Sequence, residues 1–263
     1  MTGNVHGTAP NKTGMGDFLG HSGALCRFGM FSRRGGVSGG PYASLNVGAY
    51  VGDQSEAVAT NRQIVREAMQ IPTLLSARQV HGQRVYCRTE ALGEDLEVDG
   101  FDALVTNIAG VGLTIQQADC QAVLLFDPRR EVIAAIHCGW RGSVLRIVPQ
   151  VVEVMARNYG TLAADLRAVI SPSLGPCCAE FVNFRSELPA DFHGFMVRDN
   201  YFDFWKITRA QLTGVGVAED HIQTTGHCTC CSDDYFSYRR ATRQGIEQTG
   251  RNCSVIALAN TCG

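Results

Sequence analysis

No apolar run in this 263-residue chain is long enough to span a bilayer, so no transmembrane helix is expected. The N-terminus lacks a basic flank leading into an apolar core, so no secretory signal is expected either, and the chain reads as soluble and cytoplasmic. An excess of charge of one sign is also missing. With a formal net charge of -2 there is no electrostatic reason to expect a nucleic acid or an acidic membrane as partner. No repeat, low-complexity tract or shift in composition marks a domain boundary. The chain therefore reads as one catalytic domain over residues 23–263, preceded by an N-terminal extension, residues 1–22, that lacks apolar periodicity and takes little part in the core. At 45% hydrophobic and 18% charged, the bulk of it is not disordered.

Two missing motifs narrow the chemistry. A zinc nucleobase deaminase needs a histidine two residues before a glutamate and a Pro-Cys-x-x-Cys element. Here His81 is followed by Gly82-Gln83, and Pro176 by adjacent cysteines, which excludes a deaminase of that fold. A true multicopper oxidase needs several paired His-x-His ligands, and 7 histidines without one such pair cannot fill a type 1 and a trinuclear centre together.

Cysteine, by contrast, is plentiful. An odd count of 11, with Cys177-Cys178 and Cys230-Cys231 adjacent, does not read as a secreted disulfide framework. Most of these thiols are expected simply to pack as small hydrophobes. For Cys228, Cys230 and Cys231 a structural metal site would need a second pair. The only candidate, Cys177-Cys178, has a spacing unlike a zinc ribbon or knuckle, so packed or partly exposed thiols are expected there.

The chain is organised around Gln116–Gly142. Its apolar runs, Ala122–Phe126 and Val132–Ile136, flank a turn at Asp127-Pro128-Arg129 and predict two adjacent strands. Antiparallel pairing would bring Cys120, before the first run, beside His137, after the second. Strands are also expected over Ala24–Phe31, Leu74–Val80, Asp165–Ser171 and Ser254–Ala259. Helices are expected from Asp53 or Ser55 through Met69, over Ser143–Tyr159 and over Lys206–Leu212. The Ser143 helix would turn its first amides toward His137, an anion-friendly position. The Gly-rich loop Ser32–Tyr42, with Arg33 and Arg34, reads either as a ligand cradle or as a surface loop.

His81 directly follows the expected strand Leu74–Val80, so His81, Cys120 and His137, each at an expected strand end, form a zinc-compatible donor set with a position left for water or substrate. The same residues also suit a Cys120 nucleophile with His137 as its base.

The ordered motifs FSRRGGVSGGPYASLNVG, VGD, NR, QVHG, ADC, HCGWRG, SPSLGPCC, CTCC, YFSYRR and TGR resemble those of the YfiH-like family, called polyphenol oxidase or laccase-domain proteins and purine nucleoside phosphorylases. The resemblance implies an α+β fold, an α/β sandwich of mixed β-sheets flanked by helices. It also implies zinc on His81, Cys120 and His137, with copper a further metal assigned to members. The implied reaction is phosphorolysis of adenosine, inosine and methylthioadenosine, with adenosine deamination in the same site. Editing of cell-wall precursors and copper-dependent phenol oxidation are other activities assigned to members. On this basis purine nucleoside and phosphate are the expected partners. Arg33 and Arg141 are expected at phosphate, Asp119 as a proton shuttle or a backbone cap, and Asn46 and Gln79 at ribose or base or as loop supports.

Overall fold

Strands sort into two six-stranded mixed sheets in the computed structural model, which describes residues 13–19 (backbone only) and 25–259. The first sheet runs β1 (Thr13–Leu19), β2 (Leu25–Phe31), β14 (Asn252–Leu258), β7 (Val111–Gln117), β3 (Thr73–Arg78) and β5 (Leu96–Asp99). The second runs β13 (Ile222–Thr224), β10 (Arg167–Ile170), β8 (Gln121–Asp127), β9 (Val132–Cys138), β6 (Ala103–Thr106) and β4 (Val85–Arg88). A small ribbon pairs β11 (Met196–Arg198) with β12 (Tyr201–Phe202).

The inner faces of the two sheets meet in one core, where Leu113, Ile115 and Ile256 of the first pack on Leu124, Phe126 and Ile133 of the second. Outside the second sheet, Val123, Leu125 and Ile136 pack on α3 (Ile147–Tyr159) and α5 (Phe204–Gly214). Outside the first, Leu74 and Val255 pack on Val65 and Met69 of α1 (Ser55–Met69). The result is the expected α+β sandwich of mixed sheets flanked by helices, in a single domain. Burial on both faces explains why the two central runs are apolar without alternation.

That same burial means that a one-residue slip would expose little, so apolar pattern alone cannot fix the register of β8 on β9. The turn does so. Asp127 Oδ1 accepts from the amides of Arg129 and Arg130, at 2.9 and 3.1 Å, and locks the hairpin with Gln121 opposite Cys138 and Ala122 opposite His137.

Two expectations are corrected. Part of the N-terminal extension is built into the first sheet, since β1 lies antiparallel to β2 from Thr13 opposite Phe31 to Leu19 opposite Leu25. Residues 1–12 and 20–24 lie outside the described residues. The helix expected over Ser143–Tyr159 is instead two, α2 (Trp140–Val144) and α3, separated by Arg146 in the left-handed region at φ 59°. Pro149 accounts for the break. Inside a continuous helix its ring would collide with the carbonyl of Leu145, whereas in the first turn of α3 no amide hydrogen is needed. Five residues make α2 too short to carry a useful dipole, so the anion-binding expectation for this helix start falls. Two further short helices are α4 (Phe184–Glu187) and α6 (Tyr238–Arg243). Among the described residues, no helix is long and apolar enough to cross a membrane.

Candidate metal centre and active-site cleft

The hairpin register sets Cys120, one residue before β8, beside His137 at the end of β9, and the loop after β3 brings in His81. The three donor atoms lie within 4.8 Å of one another, with His81 Nε2 3.8 Å from Cys120 Sγ. Two imidazoles and a thiol form a donor set suited to a borderline-soft cation, and three protein donors leave a coordination position open. These residues therefore fit a metal ion.

The group that orders them is Asp102, which sequence reasoning passed over. Fully buried at the start of β6, it takes His137 Nδ1 at 2.8 Å and the amides of His81 and Gly82 at 2.9 and 2.7 Å, with Val80 N at 3.3 Å. Engaging Nδ1 leaves Nε2 of His137 as the donor and fixes the ring, as an outer partner does for a metal-bound histidine. The same carboxylate holds His81 at φ 58°, a conformation rare outside glycine. One side chain thus sets two of the three donors. Burial alone would raise its pKa, but the bond from His137 and those from the Gly82 and Val80 amides hold it below the usual carboxylate range.

Without metal, the centre is a charged pair. Burial opposes ionisation of Cys120, yet the positive charge of His137 and hydrogen bonds from both histidines bring its thiol down to about 6. Burial likewise lowers His137, but the Cys120 thiolate and the Asp102 bond lift it to about 9. Between these values the thiolate faces an imidazolium. In metal-free protein, peptide-resolved alkylation of Cys120 should therefore rise as pH increases through about 6. In His137→Ala, burial would act with less opposition and the midpoint should move up. An unmoved midpoint would remove His137 as the cause.

Cys138, one residue beyond His137, points the other way. It packs in the core behind β9 with its sulfur 3.3 Å from Ser143 Oγ, and burial pushes its thiol up to about 11. It is not part of the donor set. Gly139 explains its own identity, because a Cβ there would lie 2.8 Å from Cys120 Sγ and 3.3 Å from His81 Cδ2. Gly139→Ala should weaken metal binding about tenfold, the order seen for a disturbed outer partner. Competition against a chromophoric chelator measures it, and unchanged affinity would show that the donors can move aside.

A cleft of about 590 Å³ opens over the donors. Its walls include the rings of Trp140, Phe181 and Phe204 and four arginines, Arg78, Arg141, Arg239 and Arg251, against the single carboxylate of Asp119. Arg141 is exposed on α2, its guanidinium 4.4 Å from the Trp140 ring. A larger depression of about 700 Å³ along α3 contains none of the donor clusters.

The other expected site residues are placed differently. Asp119 lines the cleft, but its oxygens accept from Thr229 Oγ1 at 2.7 Å and Arg239 N at 2.6 Å, the backbone-capping role. Gln79 also lines it, with its amide spent on both backbone groups of Gln116 at 2.8 Å. Arg33 and Asn46 are outside the lining. Arg33 donates to Ala43 O at 2.6 Å and lies over Phe236, while fully buried Asn46 bonds Gly48, Asp53 and Arg251 N. The Gly-rich loop is likewise built as structure. Asn61 of α1 bonds Val37 N, Ser38 Oγ and the carbonyls of Ser44 and Asn46. A Cβ on Gly36 would strike Asn61 and Ser44 O at 2.4 Å, so its glycine serves close packing. The four arginines of the cleft come from β3, α2, α6 and the chain just before β14, and none from this loop.

Residues 27–259 match the family model described as multi-copper polyphenol oxidoreductase laccase. The chain belongs to this family. It is 33% identical to a purine nucleoside phosphorylase of Bacteroides thetaiotaomicron, covering 86% of this chain and 89% of that one. It is 32% identical to adenosine deaminase RL5 from an unknown prokaryotic organism, over 85% and 90% of the two chains. Among solved structures, the YfiH protein of Bacillus licheniformis superposes with a TM-score of 0.79 at 26% identity, over 89% of this chain and 96% of that one. The YfiH-like membership and the sandwich fold read from the motifs both hold.

Proposed function

We propose that this chain is a zinc-dependent purine nucleoside phosphorylase that cleaves adenosine, inosine and methylthioadenosine with phosphate to free base and the sugar 1-phosphate, and that it also deaminates adenosine. The observation that carries the reading is an open three-donor centre in the wall of a cleft with aromatic walls and four arginines. The names of the relatives support both reactions. Bound to His81, Cys120 and His137, zinc would supply a Lewis acid with one free position, serving phosphate, nucleoside or water.

The chain's own residues do the rest. The rings of Trp140, Phe181 and Phe204 take the apolar faces of the base and keep water from them. Arg141, free of the backbone bonds that tie Arg239 and Arg251, takes phosphate, and the others raise the local positive potential. Asp119 acts as a positioning residue, tying the buried Thr229 hydroxyl to the backbone amide of Arg239 in the cleft wall. Arg33, Asn46 and Gln79 support the loops around it.

The test is purified protein with adenosine, with and without phosphate. Adenine and ribose 1-phosphate should appear only with phosphate; inosine should accumulate without phosphate and be carried on to hypoxanthine with it. If no base is released with phosphate present, the phosphorylase reading fails. If no inosine forms, the deaminase reading fails.

A further inference from the structure

Outside the cleft, a second group of thiols converges. Cys177 and Cys178 follow β10, Cys228 and Cys231 follow β13, and their four sulfurs lie within 4.8 Å of one another. Cys231 Sγ is 3.5 Å from both Cys177 Sγ and Cys178 Sγ. Metal–sulfur bonds of about 2.3 Å in a tetrahedron place neighbouring sulfurs about 3.7 Å apart, close to this spacing. A disulfide would draw one pair to about 2.0 Å and leave the others without purpose. Here one sulfur stands equally far from two adjacent cysteines, which is the pattern of atoms around a common point.

We propose that Cys177, Cys178, Cys228 and Cys231 hold a structural zinc ion as a closed four-sulfur site, distinct from the cleft centre. The surroundings suit it. Cys228-Thr229-Cys230-Cys231 has the Cys-x-x-Cys spacing of a knuckle, and Cys228 Sγ receives the Gly175 amide at 3.3 Å together with the backbone amides of Cys230 and Cys231. Such bonds favour thiolate over thiol. Four thiolates and a dication leave net negative charge, which Arg243 Nη1 answers at 3.9 Å from Cys178 Sγ. Cys177 and Cys231 are exposed, so a cation can reach the site and the displaced protons pass to solvent. Four protein donors leave no open position, so the ion's work is mechanical.

What it fastens is a wall of the cleft. The loop carrying Cys177 and Cys178 also carries Leu174 and Ala179, both in the lining, and Leu174 N donates to Asp119 O at 2.8 Å, beside Cys120. The partner segment places Thr229 on the Asp119 carboxylate. Parallel pairing of β10 with β13 starts the two segments side by side, and the ion would join them where the sheet ends.

Zinc-reconstituted, reduced protein should contain about two zinc ions per chain; Cys177→Ser/Cys231→Ser and His81→Ala/Cys120→Ala should each contain about one. Equal zinc in wild type and Cys177→Ser/Cys231→Ser would overturn the proposal, as would peptide mapping that finds Cys231 disulfide-linked in freshly purified, unreduced protein. Should the serine variant not fold, His81→Ala/Cys120→Ala decides the matter by X-ray absorption. A shell of four sulfurs at about 2.3 Å around its remaining zinc is expected, and a shell with nitrogen or oxygen would overturn the site. Because the readout is metal content and ligand type, it stands or falls independently of the phosphorylase assay.

Discussion

Cys120→Ala is expected to empty the cleft centre and to reduce phosphorolysis by more than about 100-fold, beyond the 10–100-fold typical of losing an outer partner. The thiolate is the only anionic donor of the three, so two neutral imidazoles would be left facing a dication. Without metal, the variant also removes the charge that lifts His137 to about 9, so His137 should lose its proton at lower pH. Metal analysis and a histidine titration followed by NMR test the two halves. Wild-type occupancy of the cleft centre in the variant would remove Cys120 from the ligand set. Retained activity without metal would instead favour chemistry carried by the side chains alone.

Asp102→Asn should come next in size, although Asp102 touches neither metal nor substrate. The carboxylate accepts four bonds, from His137 Nδ1 and from the amides of Val80, His81 and Gly82. An asparagine offers one acceptor oxygen, and its NH2 would confront at least one of those amides. Each buried donor left unpaired costs about 1–3 kcal/mol. His81 would no longer be held in its left-handed conformation, and His137 would lose the anion that fixes its tautomer. Metal affinity should fall about 10–100-fold, with a fall in the His137 pKa that a merely destabilising change elsewhere would not produce. If affinity drops while the His137 titration stays in place, Asp102 acts through the His81 loop alone.

Much of this centre was legible in the sequence because the hairpin is short and local. The charged turn between two apolar runs puts Cys120 and His137 together, and its place after an expected strand, strengthened by the motif resemblance, adds His81. Asp102 escaped because a single aspartate in GFDALVT carries no periodic or spacing signal, and its partners lie 20 or more residues away in either direction. Arg33, Asn46 and Gln79 show the converse problem. A polar residue in a glycine-rich or strand-end motif looks the same whether it reads a ligand or ties a loop, and only their hydrogen-bond partners distinguish the cases. Cys177-Cys178 and Cys228, Cys230 and Cys231 show no metal-site spacing as a set along the chain; the sulfurs of Cys177, Cys178, Cys228 and Cys231 converge because β10 and β13, more than 50 residues apart, lie side by side. The break at Arg146 was in plain view in Pro149, but the strong apolar face running through it outweighed one residue.

The last strand, β14, lies between β2 and β7 in the first sheet and hydrogen-bonds to both. During synthesis, those two strands emerge long before the segment that must sit between them. Until residues 252–258 leave the ribosome, each presents an open edge able to recruit a foreign strand. The β8–β9 hairpin needs no such late arrival, since everything that sets its register lies within a few residues of Asp127. The nascent chain can therefore form the Cys120–His137 corner while half of its framework is still waiting to close, and a stop codon shortly before Asn252 should yield an aggregating product rather than a weakened enzyme.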